Sequence, residues 1–382
     1  MAQWPGCPPR ARNSDVEPKL ALMNARRSLF AGLALLLIGC GSPSEPVTAP
    51  SLSATRSSSA GLYLYVANNG NGACYSGAIS NINVYAPSST VLLRQFAEGA
   101  WPFALAFDNV HDLFAASFHQ NAVFVYASDG SRLSRTITQG IDAPLAVAFD
   151  KQWNLYVANS QGGTGGGTIS VYAPGQSQPS RTIADKIAHP NALAIDASGN
   201  LYVSNSAGSF VSRYAARTTK AASIVTSGIT TPAALSLDRS GNLYVANRGT
   251  WNGSTFAKSS VTVYPPGSGV PARTIVTGIN TPSALAFDSN GRLYVANKPF
   301  DYTQAGSITV YAPGGSRLLR TITRGIDQPL QLEFDPSGNL YVANQRGVGI
   351  GSVTVYEPAA TIPVRTIATD LCAPRSIALD SK

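Results

Sequence analysis

The stretch Pro282-Ser-Ala-Leu-Ala-Phe-Asp-Ser-Asn-Gly-Arg-Leu-Tyr-Val-Ala-Asn297 decides how the chain folds. Ala284-Leu285-Ala286-Phe287 alternates small and large residues, as a crowded inner strand should. Asp288 opens a tight connection, and Gly291 stands where a hairpin needs positive φ, which glycine adopts without steric penalty. Leu293-Tyr294-Val295-Ala296 makes a second strand from residues that suit a pleated, half-buried surface. A third strand ends on Tyr311, and after a Pro/Gly turn Arg320-Thr321-Ile322 makes a fourth.

The same four-strand phrase recurs along the body of the chain. The closing Asn of the second strand falls at Asn68, Asn159, Asn205, Asn247, Asn297 and Asn344, with Ser117 in the remaining copy, so six intervals average 46 residues. Five residues separate Asp from Leu in every complete copy, starting at Asp108, Asp150, Asp196, Asp238, Asp288 and Asp335. Gly199, Gly241 and Gly338 hold the turn position of Gly291, whereas His111 and Trp153 replace it, so those two turns are expected to be irregular. The third strand ends on Tyr85, Tyr126, Tyr172, Tyr214, Tyr264, Tyr311 and Tyr356. Five copies of the fourth strand carry Arg-Thr-Ile, whose Arg is expected to guard an exposed edge against pairing with other molecules.

A period of this length with four short strands per unit predicts a β-propeller. The ends set the blade number. The first copy starts at its second strand (Leu62 to Asn68), and the last stops after its first strand (Ser376 to Asp380). Joined, they complete one blade. The fold expected is therefore all-β: a seven-bladed propeller over residues 61–382, with four antiparallel strands per blade and a composite closing blade. Leu-Tyr-Val-Ala-Asn resembles the signature of YVTN propeller repeats, and Pro-x-Ala-Leu-Ala-Phe-Asp-x-x-Gly-Asn-Leu-Tyr-Val-Ala is similar to NHL repeats. That resemblance implies fold more than function, because such propellers include enzymes, sensors and scaffolds.

The N-terminus reads as an address. Arg26-Arg27 precede an apolar run from Leu29 to Ile38 that is too short to span a bilayer comfortably, the pattern of a signal peptide. Leu37-Ile38-Gly39-Cys40 resembles the lipobox of bacterial lipoproteins, which implies lipidation of Cys40 and an anchor outside the cytoplasmic membrane, in the outer membrane or periplasm of a two-membrane host. Residues 1–22 contain features no signal peptide needs, so translation is expected to start at Met23 and the signal to occupy 23–40. Residues 41–60, rich in Ser and Pro, read as a flexible tether.

Composition bounds the partners. The chain is 44% hydrophobic and 13% charged, too apolar for disorder. Residues 1–40 hold five Lys/Arg and two acids, leaving a mature chain of 23 basic and 18 acidic groups, net +5. That mild bias does not argue for nucleic acid. Membrane contact is expected through the lipid alone, and the protein is expected to be a monomer.

Of four cysteines, Cys7 precedes the expected start and Cys40 is the lipid site. Cys74 and Cys372 fall on one face of the composite blade in an exported protein, where disulfides persist, so a Cys74–Cys372 bridge is expected; two unpaired neighbouring thiols are the alternative.

The loops between the second and third strands vary in length and content, and loops varied on a constant scaffold are where binding is expected. Tyr75, Trp101, Trp251, Phe256, Phe300 and Tyr302 offer stacking surfaces there, with Arg248, Lys298 and Arg346 as a candidate anion patch near Lys258, Asp301 and Asp327. The Asn ring and the Asp ring read as turn-capping groups. No catalytic residue, metal or cofactor is expected. His111, His119 and His189 are spread over the blades, and Glu98, Asp142, Asp185, Asp327 and Asp370 are scattered without a second ligand position. The leading expectation is a non-catalytic cell-envelope module binding protein or carbohydrate. The alternative is a metal-dependent lyase or hydrolase at the channel mouth.

Overall fold

The structure is a computed structural model that describes residues 62–69, 80–128, 132–162, 166–301, 303–345 and 351–381. The address segment with Cys40, the 41–60 tether, and Cys74, Tyr75, Tyr302 and Arg346 lie outside the described residues.

Seven four-stranded antiparallel sheets form a ring. We call the strands of each blade a to d. Blade 1 holds Pro102–Phe107, Leu113–Ser117, Ala122–Tyr126 and Leu133–Ile137, and blades 2 to 6 begin at Pro144, Pro190, Pro232, Pro282 and Pro329. Strand a of each blade touches strand a of the blade on either side, so the a strands form the innermost circle. The composite closure is present: the C-terminal strand Pro374–Ser381 pairs antiparallel with Leu62–Asn68 in the order d-c-b-a, with Val66 opposite Ile377. This blade 7 packs on both blade 6 and blade 1.

The period-two alternation of strand b explains why the ring holds. In blades 4 and 5, Tyr244 of one strand b and Leu293 and Val295 of the next meet with Tyr311 in one cluster. Leu and Val of Leu-Tyr-Val-Ala thus face the preceding blade while Tyr and Ala face the following one. Seven such apolar clusters occur, one at each interface between blades. Burial of a large side chain contributes roughly 1.5–3 kcal/mol, so each interface is held by several strong contributors.

Polar groups fasten what the apolar clusters leave open. The strand c tyrosine donates its hydroxyl to the backbone of the crossover entering its own blade: Tyr85 to Thr369 (3.0 Å), Tyr172 to Gln139 (2.5 Å), Tyr311 to Thr277 (2.5 Å), Tyr356 to Arg324 (2.6 Å), and likewise Tyr214 to Asp185 and Tyr264 to Ser227. Burial pushes the hydroxyls of Tyr85, Tyr172, Tyr214 and Tyr264 up to about 12, which keeps them neutral donors.

One expectation is corrected here. The a–b turns at His111 and Trp153 are regular: both residues take the left-handed conformation (φ 64° and 61°), as Gly199 and Gly241 do (80° and 78°), and donate to the same Asp carbonyl. The Asp holds the turn, since its Oδ1 accepts the amide four residues on in all six copies. The strand d arginines also tie their strand to its own blade. Arg181, Arg273, Arg320 and Arg365 donate to the strand b tyrosines Tyr156, Tyr244, Tyr294 and Tyr341 (2.7–3.3 Å) and stack over their rings. In blade 1, where Phe114 replaces Tyr, Arg135 keeps only the stacking contact.

Candidate functional site

The b–c loops and the d–a crossovers meet on one face, called the top. In blades 2 to 7 strand b ends on a buried Asn whose Oδ1 accepts a crossover amide, as Asn159 does from Asp142 (3.0 Å), Asn205 from Ala188 (2.8 Å) and Asn297 from Asn280 (2.9 Å). Its Nδ2 bonds Ser or Thr hydroxyls of strand c, as Asn247 does with Thr262 (3.0 Å). The Asn ring is structural, as the sequence suggests, and so is the Asp ring on the opposite face.

A second ring was not legible from sequence. The residue before each strand a proline is Trp101, Ala143, His189, Thr231, Thr281, Gln328 or Ala373, and all seven lie at φ 47–54°. This left-handed conformation is unfavourable for non-glycine residues, more so for β-branched Thr. Hydrogen bonds from two blades hold it. In blade 5 the amide of Thr281 donates to Ser259 Oγ of the previous blade (3.0 Å), and its carbonyl accepts from Lys298 of its own blade (3.1 Å). Trp101, Ala143 and Thr231 use Ser80, Asn121 and Ser209 in the same way.

The residue after the strand b Asn is therefore pinned at the channel mouth by its backbone. Around the ring from blade 1 this position reads Phe118, Ser160, Ser206, Arg248, Lys298, Gln345, Asn69. The residue after the strand a proline, on the same rim, reads Phe103, Leu145, Asn191, Ala233, Ser283, Leu330, Arg375. The large and charged side chains gather on the arc from blade 4 through blade 7 to blade 1. Lys298 Nζ donates to Gln345 Oε1 (2.8 Å), and burial, then Arg375, then Arg248 push its ammonium down to about 8. The Arg375 guanidinium lies 4.1 Å from the Phe103 ring centroid, a close cation–π stack. Phe103 stacks on Phe118 (5.1 Å), and His119 sits edge-on to Trp101 (5.2 Å) and Phe118 (5.2 Å).

Outside this arc lies an aromatic cluster. Thr250–Trp251 and Phe256–Ala257 pair as a small hairpin within the blade 4 loop. Trp251 meets Phe256 (5.1 Å) and, across the blade boundary, Phe300 of blade 5 (4.7 Å). Trp251 stays 43% exposed and Phe300 47%. The structure thus brings Trp251, Phe256 and Phe300 together, sets Arg248 and Lys298 within electrostatic reach of each other, and puts Trp101 apart with His119. Arg375, Phe103 and Gln345 were missed by sequence reasoning. Arg375 alone carried a signal, since it puts a charge at a repeat position that is uncharged in the other six blades.

Of the carboxylate candidates, Asp185 does structural work, since its Oδ2 accepts the Ala221 amide (2.9 Å). Among the described residues no group of three His, Cys, Asp or Glu is placed to hold a metal ion.

No family model matches the chain. No curated protein matches it either. Among solved structures it is similar to a chain of Kuenenia stuttgartiensis hydrazine synthase, with a TM-score of 0.56 at 15% identity, over 66% of this chain and 76% of that one. The likeness is one of fold. What is shared is a propeller-like architecture, and the chemistry named for that neighbour stays with it.

Proposed function

We propose that this propeller is a non-catalytic binding or scaffold module of the cell envelope that engages a protein or glycan through its top face. The observation that carries this is the half-exposed cluster of Trp251, Phe256 and Phe300, which two different blades converge to build. Exposed aromatic groups rimmed by polar loops are a common mark of an interaction surface. In this reading the repeats are of YVTN/NHL type, Cys40 carries the lipid that holds a monomeric protein outside the cytoplasmic membrane, and a Cys74–Cys372 disulfide closes the composite blade. Alkylation of the mature protein before and after reduction tests the bridge. Pull-down from envelope extract with the full chain tests the binding face. Retention of partners should fall at least tenfold in Trp251→Ala and Phe300→Ala, and unchanged retention in both would reject the reading.

A further inference from the structure

The cationic arc and the aromatic cluster are ends of the same loops. Arg248 is three residues from Trp251 and Lys298 two from Phe300, so at most about 10 Å and about 7 Å of extended chain separate each cation from its ring. Two adjacent loops bring the rings together at 4.7 Å, and blade 7 adds Arg375 from its own strand a. The arrangement is built rather than scattered. Arg248 and Lys298 are fixed at the rim by backbone bonds to Thr231 and Thr281 (both 3.1 Å), and Arg375 is oriented by stacking on Phe103. A guanidinium held over an aromatic ring keeps its N–H donors, which lie in its own plane, available to a carboxylate.

We infer that the channel mouth is a binding site for an acidic saccharide, with a uronate carboxylate held by Arg375, Lys298 and Arg248 and a neighbouring sugar ring laid on Trp251. The inference rests on the top face being the binding face. Burial, Arg375 and Arg248 each push the proton of Lys298 off. An anion brought among them reverses that balance. The class of ligand follows from the second half of the site. Trp251 sits in a hairpin closed by its own backbone pairing and meets Phe300 of the next blade's loop edge to face, and both residues stay nearly half exposed. A flat, preformed ring suits the C–H face of a pyranose, whereas an apolar peptide side chain gains most from a concave pocket.

Fluorescence of Trp251 in the full chain, titrated with oligogalacturonate and with its methyl ester, tests this. The two probes share the sugar ring and differ in charge. The acid should bind at least tenfold tighter than the ester and weaken as salt is raised. Lys298→Met and Arg375→Gln should each remove most of that advantage. As an independent readout, the Lys298 ammonium, followed by NMR, should titrate near pH 8 alone and at higher pH with the acid bound. Equal affinity for acid and ester, an unmoved Lys298 titration, or binding of polyglutamate in place of both would overturn the inference. Trp251→Ala and Phe300→Ala that leave envelope partners and both probes unaffected would instead remove the underlying reading of the face.

Discussion

His111 Nδ1 lies 2.5 Å from Oδ1 of Asp380, which links the a–b turn of blade 1 to the C-terminal strand of blade 7. The imidazole is 43% exposed and the carboxylate 1%, so the contact reaches from the bottom face into the seam where the two ends of the propeller meet. His111 also occupies the left-handed position that glycine holds in four other blades. One residue therefore trades backbone strain for a tie across the closure.

Two substitutions separate these contributions. His111→Ala keeps the strained backbone and loses the contact, so it should lower unfolding free energy by about 2 kcal/mol. His111→Gly also loses the contact but relaxes the backbone, and should recover about 1 kcal/mol of that loss. Urea unfolding midpoints of the two variants measure both; equal midpoints for wild type and His111→Ala would show that the contact does not hold the seam.

Glu333 makes the innermost circle pH-sensitive. It stands opposite Tyr341 where the other blades put Ala106, Ala148, Ala194, Ser236, Ala286 and Ala378 opposite their strand b partners. Glu333 is half-buried, and burial raises its carboxyl to about 8 despite a bond from the Leu379 amide. The folded state thus holds a proton that the unfolded chain releases near pH 4.5. Its contribution is fully present below pH 4.5 and is lost as pH rises toward and through 8. Thermal melts between pH 5 and 8 should show stability falling with pH, and Glu333→Gln should flatten that slope; parallel profiles would contradict it.

Gly306 is required by its neighbour rather than by its backbone angle. A β-carbon there would stand 2.2 Å from Pro329 Cδ and 2.6 Å from the Asn297 carbonyl, both of them fixed. Gly306→Ala should cost at least about 3 kcal/mol through overpacking where blade 6 follows blade 5. Gly291→Ala, with only Pro313 Cβ at 3.7 Å, should cost about 1 kcal/mol from its positive φ alone. Melting temperatures of the pair, measured side by side, check the ordering.

Removing one hydroxyl from the Arg–Tyr pairs should be mild. Tyr244→Phe loses the Arg273 bond (2.8 Å) but keeps the ring between blades 4 and 5 and the cation–π contact. A cost of about 1 kcal/mol is expected, consistent with Phe114 serving natively in blade 1 beside Arg135. Tyr244→Ala empties the interface and should cost roughly 3–5 kcal/mol. Denaturant unfolding of both variants separates the hydroxyl from the ring.

The sequence by itself determined the strands, the seven copies, and the joining of Leu62–Asn68 to the terminal strand. Each of these is a local pattern repeated at a constant interval, so period-two alternation and turn chemistry suffice to read it. It also carried the structural role of the Asn and Asp rings and pointed to Trp251, Phe256 and Phe300. Only the tertiary structure decided which of the candidates meet. Arg248, Lys298 and Arg375 come from three blades, and their approach follows from ring closure, which no interval along the chain records. The same holds for the left-handed residues before each strand a proline: Trp, Ala, His, Thr, Gln share no side-chain chemistry, and hydrogen bonds from two adjacent blades impose on all of them one backbone state that none prefers alone.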